Sequence, residues 1–149
     1  MDTMAEEVFA LSKLVSTARS RQAPGPDDLP ESEFIALDIL SKEQPLTIGE
    51  IQRRIGVVPA QMSRIVRALE HHEGGAYIEC RINVTDRRRV DVTLTEAGKK
   101  AHEAYRESRL NSMHHILSGL EPNDRIQFIR ILRIISKNIQ VLLDAGDDA

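Results

Sequence analysis

The spacing of apolar positions changes along this chain, and the changes mark its elements. Val8, Leu11, Val15 and Ala18 recur at intervals of three and four, and Leu14 widens the stripe, which predicts an amphipathic helix from about Ala5 to Gln22. Ala23-Pro24-Gly25-Pro26-Asp27-Asp28-Leu29-Pro30 is a connector, since three prolines and a glycine cannot continue a helix. A second helix opens at Glu31 or Ser32, runs through Phe34, Leu37 and Leu40, and stops before Pro45. Thr47, with Glu50 three residues on, has the spacing of a capping box. Ile48, Ile51 and Ile55 then form one face of a short helix ending at Gly56. Pro59 suits the first turn of the next helix, where its missing N–H costs nothing, and Met62, Ile65, Val66 and Leu69 supply its buried stripe. Two short helices separated by Gly56-Val57-Val58 match a helix-turn-helix.

From Tyr77 the period falls to two. Tyr77, Ile78 and Ile82 alternate loosely with polar residues; Val90, Val92 and Leu94 alternate strictly with Asp91, Thr93 and Thr95. Between them lies a polar tip with Asp86, Arg87, Arg88 and Arg89, so the stretch reads as a β-hairpin that projects charge into solvent. Thr95 caps a long helix over Lys99–Leu117, with Gly98 in its first turn suggesting close packing. After the break at Leu120–Asp124, a last helix runs to about Leu143, and nine Ile and Leu residues between Ile126 and Leu143 cover more than one face of it. The acidic tail from Asp144 to Ala149 reads as frayed.

A chain of 149 residues accommodates one domain with a real core, and with no Trp and 3% aromatics that core must be Leu, Ile and Val. No apolar run approaches a membrane span, and the acidic N-terminus lacks the pattern of a signal peptide. A single cysteine, Cys80, excludes an intramolecular disulfide. These points favour the cytoplasm. The net charge of −3 hides an uneven distribution. Residues 53–100 hold ten Lys/Arg against six Asp/Glu, whereas residues 1–52 hold four against ten. Local charge decides whether phosphates are approached, so the middle third is the part that suits nucleic acid.

A helix-turn-helix followed by a basic hairpin is a winged helix. Its second helix would enter the major groove, with Gln61 and Arg64, together with Ser63 and Arg67, facing away from the apolar stripe toward base edges. The wing arginines would reach a neighbouring minor groove. Arg53, Arg54 and Lys99 are candidates for phosphate contact, fixing register without reading sequence.

The arrangement Ile48…Ile51…Ile55-Gly56-Val57, then Ser63-Arg64-Ile65-Val66…Leu69-Glu70, then Asp86-Arg87-Arg88…Val92-Thr93-Leu94-Thr95…Gly98, resembles the MarR family of bacterial transcriptional regulators. The D-R-R wing with its L-T-x-x-G sequel is the specific part, and the flanking helices extend the resemblance over essentially the whole chain. It implies a mainly α fold with a small β-hairpin wing: a winged helix-turn-helix over residues 31–98, flanked by dimerisation helices at residues 1–22 and 99–149, in a single domain of residues 1–149. It also implies a homodimer on a palindromic operator in double-stranded DNA, acting as a repressor, with a small-molecule effector bound between the dimer helices and the winged helix. In that family the wing Asp braces an Arg while an Arg at the tip enters the minor groove. Asp86 and Arg88 match those positions, which leaves Arg87 and Arg89 to share the groove. Two departures are visible. Val58 stands where the family often has a capping Ser or Thr, and His71–Ala76 is a few residues longer than usual, which would alter the angle of the wing.

Each of these features also has a plain reading. The arginine run alone would be a solvated turn, and the polar face of the recognition helix ordinary surface. The last helix would be the core helix of a monomer rather than a dimer seam. Cys80 reads as a small buried hydrophobe; a redox switch would need its pKa lowered, for which Arg81 is the nearest candidate. The pairs His71-His72 and His114-His115 lack metal-ligand spacing, so these and His102 read as solvated surface. Asp38 reads as an exposed edge of its helix, with lining an effector pocket as the other reading. Asn83-Val84-Thr85 is a chance glycosylation sequon. Neither a catalytic motif nor a cofactor fingerprint is present. The remaining alternatives are a winged helix used for protein contact without an operator, or a redox- or metal-responsive regulator.

Overall fold

The computed structural model describes residues 2–147. Among them the chain forms α1 (Thr3–Arg21), α2 (Glu31–Lys42), β1 (Leu46–Thr47), α3 (Ile48–Ile55), α4 (Pro59–Glu70), β2 (Ile78–Ile82), β3 (Val90–Leu94), α5 (Glu96–Leu117) and α6 (Pro122–Asp147). Two compact units, residues 1–107 and 108–149, divide within α5.

In the first unit the main core cluster draws its buried residues from the stretch between Ala36 and Val92. Leu37, Leu40, Ile51, Met62, Leu69 and Val92 are all but fully enclosed there, joined by Leu46, Ile65 and Ile78. Each comes from the apolar stripe of its element, so α2, α3 and α4 pack their inner faces on one side of the sheet. The sheet is antiparallel in the order β1-β3-β2, with Leu46 and Cys80 both opposite Val92. That central position explains why Val92 is completely buried. The third strand, β1, was not legible in the sequence, because two residues are too few to show alternation. The Gln44 side chain extends the pairing by accepting the Leu94 N–H at 2.9 Å. Leu29, in the proline-rich connector, packs against the core as well.

Helix ends follow local chemistry. Thr47 and Glu50 make both bonds of the capping box, at 3.2 and 2.7 Å. Gly56 closes α3 in the left-handed region at φ 78°, a conformation glycine adopts without steric cost. Thr95 Oγ1 accepts the Gly98 N–H at 3.0 Å and donates to the Ala76 carbonyl, so one hydroxyl starts α5 and ties it to the approach to β2. The close packing expected at Gly98 is present: a Cβ there would lie 2.0 Å from the Tyr77 carbonyl oxygen. α4 begins differently. Val58 is its N-cap in extended conformation, Pro59 occupies the first turn, and no side chain caps the helix.

The apolar residues of α1 and α6 are largely uncovered. In α1, Met4, Val8, Phe9, Leu11 and Leu14 are exposed and only Val15 is partly covered. In the second unit, Ile126, Ile129, Ile131, Leu132, Ile134, Ile135, Ile139, Leu142 and Leu143 of α6 are all exposed. Among the described residues, α6 thus has no enclosed apolar face within its own unit. It also runs past Leu143 and takes in residues 144–147, part of the tail expected to fray; residues 148–149 lie outside the described residues.

Two sequence expectations are corrected near α5. His102 is not solvated surface: it is buried, stacks on Phe34 with ring centroids 5.3 Å apart, and its Nε2 lies 2.9 Å from Asp38 Oδ1. Asp38 is accordingly half-buried rather than at an exposed edge, with Lys42 Nζ 2.9 Å from its other oxygen. The sequence spacing of 64 residues between Asp38 and His102 carried no signal of this pairing. Burial pushes the Asp38 carboxyl up, but hydrogen bonds from Lys42 and His102 outweigh it and hold it below the usual range. A depressed carboxylate stabilises the fold above its unfolded pKa, and that contribution is lost as pH falls through the folded value. Asp38→Asn is therefore expected to cost roughly 1–2 kcal/mol at neutral pH, the range for hydrogen bonds to a charged group discounted for partial exposure. Urea titrations should show the gap between variant and parent closing below about pH 4; a gap independent of pH would mean that the charge is not what stabilises.

Candidate nucleic-acid interface

The interface is built from α4 and the β2–β3 hairpin. The capless start and amphipathic stripe of α4 place Met62, Ile65 and Leu69 inward and leave Gln61, Ser63, Arg64 and Arg67 exposed. Gln61, Arg64 and Arg67 have no side-chain bond among the described residues. Ser63 differs, since its hydroxyl donates to the Pro59 carbonyl at 3.1 Å and is partly committed to its own helix. Arg53 and Arg54 stand on the outer face of α3; Arg54 pairs with Glu43 at 2.7 Å, and Lys99 at the start of α5 pairs with Glu96 at 3.1 Å.

Wing geometry is set by side chains whose role the sequence did not reveal. Asn83, noted only for its sequon, organises the tip. Its Oδ1 accepts from the Thr85 N–H, the Thr85 hydroxyl and the Asp86 N–H at 2.7–2.9 Å, and its Nδ2 donates to Asp91 at 2.8 Å. Asx turns of this kind are a known habit of Asn, and the residue just before a polar tip was the available cue. Asp86 accepts from the Arg88 backbone N–H at 3.1 Å and lies 3.4 Å from its Nε, yet the Arg88 side chain remains 95% exposed. Arg87 has no side-chain partner among the described residues.

Arg89 is placed otherwise than expected. Sequence pairing of Asp86 with Arg88 left Arg87 and Arg89 to reach outward, and Arg87 does. Arg89 instead bonds Asp91 at 2.8 Å and lies 3.5 Å from Glu50 Oε2. The physical reason is the strand: Arg89 and Asp91 are two apart on extended chain and share a face. The Glu50 oxygen involved is the one that accepts the Thr47 N–H in the capping box, so one carboxylate joins the wing to the start of α3. Its pKa is lowered chiefly by the Thr47 backbone bond, while the Asp91 carboxyl is lowered first by Arg89 and then by Asn83. Both stay ionised and the bracket persists at neutral pH.

The long approach to the wing is also ordered. His72 stacks on Tyr77 with centroids 4.0 Å apart and accepts the Gly74 N–H, while the Tyr77 N–H returns to the Leu69 carbonyl at 2.8 Å. Cys80 sits partly buried in β2 with its thiol pushed up to about 12 by burial and by Glu70, and Arg81 is occupied by Glu79 at 2.7 Å. The lowering of the thiol by Arg81 is thus overturned, because the guanidinium faces a carboxylate instead. Among the described residues no group of three or more His, Cys, Asp and Glu side chains is placed to hold a metal ion.

A helix-turn-helix whose second helix presents unpaired Gln and Arg, followed by a stiffened basic hairpin, defines a winged-helix DNA-binding protein. The comparisons narrow that class. Residues 29–90 match the MarR family. The uncharacterized HTH-type transcriptional regulator YwhA of Bacillus subtilis (strain 168) is 30% identical over 124 residues, spanning 83% of this chain and 87% of that protein. This chain belongs to the MarR family of transcriptional regulators. Its fold is shared with YusO from Bacillus subtilis, at a TM-score of 0.72 and 23% identity over 91% of this chain and 95% of that one. It is shared equally with Streptococcus pneumoniae FabT, solved in complex with DNA, at a TM-score of 0.73 and 18% identity over 94% and 97%.

Proposed function

We propose that this regulator works as a homodimeric repressor that binds a palindromic operator in double-stranded DNA and leaves it when a small-molecule effector binds. The observation that supports the reading most directly is which charges are free. Around α4 and the wing, carboxylates occupy Arg54, Arg81 and Arg89, while Arg64, Arg67 and Arg87 face solvent with no side-chain partner among the described residues. On this reading Gln61, Arg64 and Arg67 meet base edges, Ser63 assists from the same face, and Arg87 and Arg88 enter the minor groove. Asp86 and Arg89 hold the wing, Arg53 meets phosphate directly, and Arg54 and Lys99 would do so by exchanging Glu43 and Glu96 for phosphate. Residues 31–98 form the DNA-binding region of a single-domain subunit.

The uncovered faces of α1 and α6 support a second copy as partner, since a helix with apolar residues on several sides needs burial on several sides. The dimer would set two recognition helices in successive major grooves about 34–36 Å apart. An effector that binds better to one separation of the two heads would shift the population away from the DNA-competent one. The role is regulatory rather than catalytic and is exercised in the cytoplasm; no helix among the described residues is long and apolar enough to cross a membrane.

The test is binding of the purified chain to duplex DNA from its own upstream region across a salt series. Affinity should fall roughly 1,000-fold between 50 and 200 mM salt if about six phosphates are contacted. Absence of binding at low salt would overturn the proposal, and Arg64→Ala should weaken binding by roughly 1–3 kcal/mol while relaxing sequence preference at one position.

A further inference from the structure

The residue that opens α4 is poorly explained by stability. Val58 is the N-cap, where Ser, Thr, Asp or Asn would satisfy a free N–H, and no side chain does so here. It does not serve the core either, because the residue is 63% exposed. Pro59 and Ala60 beside it are exposed as well, so the recognition helix begins with three solvent-facing apolar residues just before Gln61. A β-branched apolar side chain in water at this position gains only when something apolar covers it.

In the major groove the apolar group presented by a base pair is the thymine C5-methyl. The N-terminal residues of a recognition helix are those brought to base edges. We infer that Val58 reads a thymine methyl in each operator half-site and is a specificity-determining residue alongside Gln61 and Arg64. Arg53 and Arg54 on the neighbouring α3 are charged and offer no apolar surface to cover Val58. The inference rests on α4 being the recognition helix of a sequence-specific DNA binder.

The experiment begins by enriching tight-binding duplexes from a random pool with the full chain. The preferred duplex is then resynthesised with deoxyuridine replacing each thymidine in turn, which removes only the methyl group. One symmetric thymidine should prove sensitive, with binding weakened about fourfold per methyl withdrawn from apolar contact. Val58→Ser, a residue suited to the N-cap, should keep the fold and bind thymidine and deoxyuridine probes equally at that position. Enrichment of a preferred duplex with every deoxyuridine probe binding like its parent overturns the methyl contact alone. So does a Val58→Ser protein that keeps the full thymidine preference. Failure to enrich any duplex overturns the DNA-binding reading itself, and is recognisable because it appears before any probe is made.

Discussion

Replacing Gly98 by alanine should destabilise the protein by about 2 kcal/mol or more, the range for forcing an extra methyl into a packed site. Two effects compete. Alanine is the better helix former by about 1 kcal/mol in a helix interior, and less so in the first turn. Against that, the new Cβ would lie 2.0 Å from the Tyr77 carbonyl oxygen and 2.9 Å from its carbon. Both sides of the contact are backbone, so no rotamer change relieves it. The Tyr77 carbonyl accepts the Thr95 N–H at 3.1 Å, and Thr95 caps α5, so pushing Tyr77 away undoes the start of the helix as well. Urea unfolding at fixed protein concentration measures the effect. A Gly98→Ala protein as stable as its parent would show that the approach to β2 and the first turn of α5 are not in contact.

The second large effect concerns DNA. Arg87→Ala combined with Arg88→Ala should weaken operator binding about 100-fold at moderate salt and flatten the plot of log affinity against log salt by roughly one to two units. Neither side chain packs against the core, so stability should be unchanged within about 0.5 kcal/mol. Arg89→Ala provides the contrast. Its guanidinium is engaged by Asp91 and Glu50, so its loss should loosen the wing and lower affinity with little change in salt slope. Fluorescence anisotropy on a selected duplex separates the two. Equal slopes for both variants would remove the distinction between reaching and bracing arginines, and undiminished binding by the double variant would remove the wing from the mechanism.

Much of this architecture was legible because it rests on period and punctuation. The Ile48–Ile55 stripe, the Thr47–Glu50 box and Gly56 specify both ends of α3, and Pro59 specifies the start of α4. Strict alternation at Val90, Val92 and Leu94 specified β3 in the same way. What escaped were pairings between distant residues. Nothing in the local pattern joins Asp38 to His102, or Glu50 to Arg89, because only the packed fold brings them together. β1 escaped because it is short, and Asn83 because its hydrogen bonds run to its own neighbours rather than to any periodic partner. As a sequence, the arginine run divided only in part, with Arg88 set against Asp86 and Arg87 and Arg89 left together. The three separate into free, braced and engaged only once the carboxylates of Asp86, Asp91 and Glu50 are in place.

The shared carboxylate of Glu50 has a mechanical meaning. A hairpin attached only through its strands would swing as a hinged flap, and movement deeper in the protein would dissipate in that swing. With Glu50 holding both the first turn of α3 and Arg89 of the wing, the flap is latched. On the proposed reading, a tilt imparted to α3 would carry the wing with it through this link. Under the proposed function, rotation of one head would then withdraw the α4 and wing contacts in the same stroke, making release from DNA abrupt rather than piecemeal.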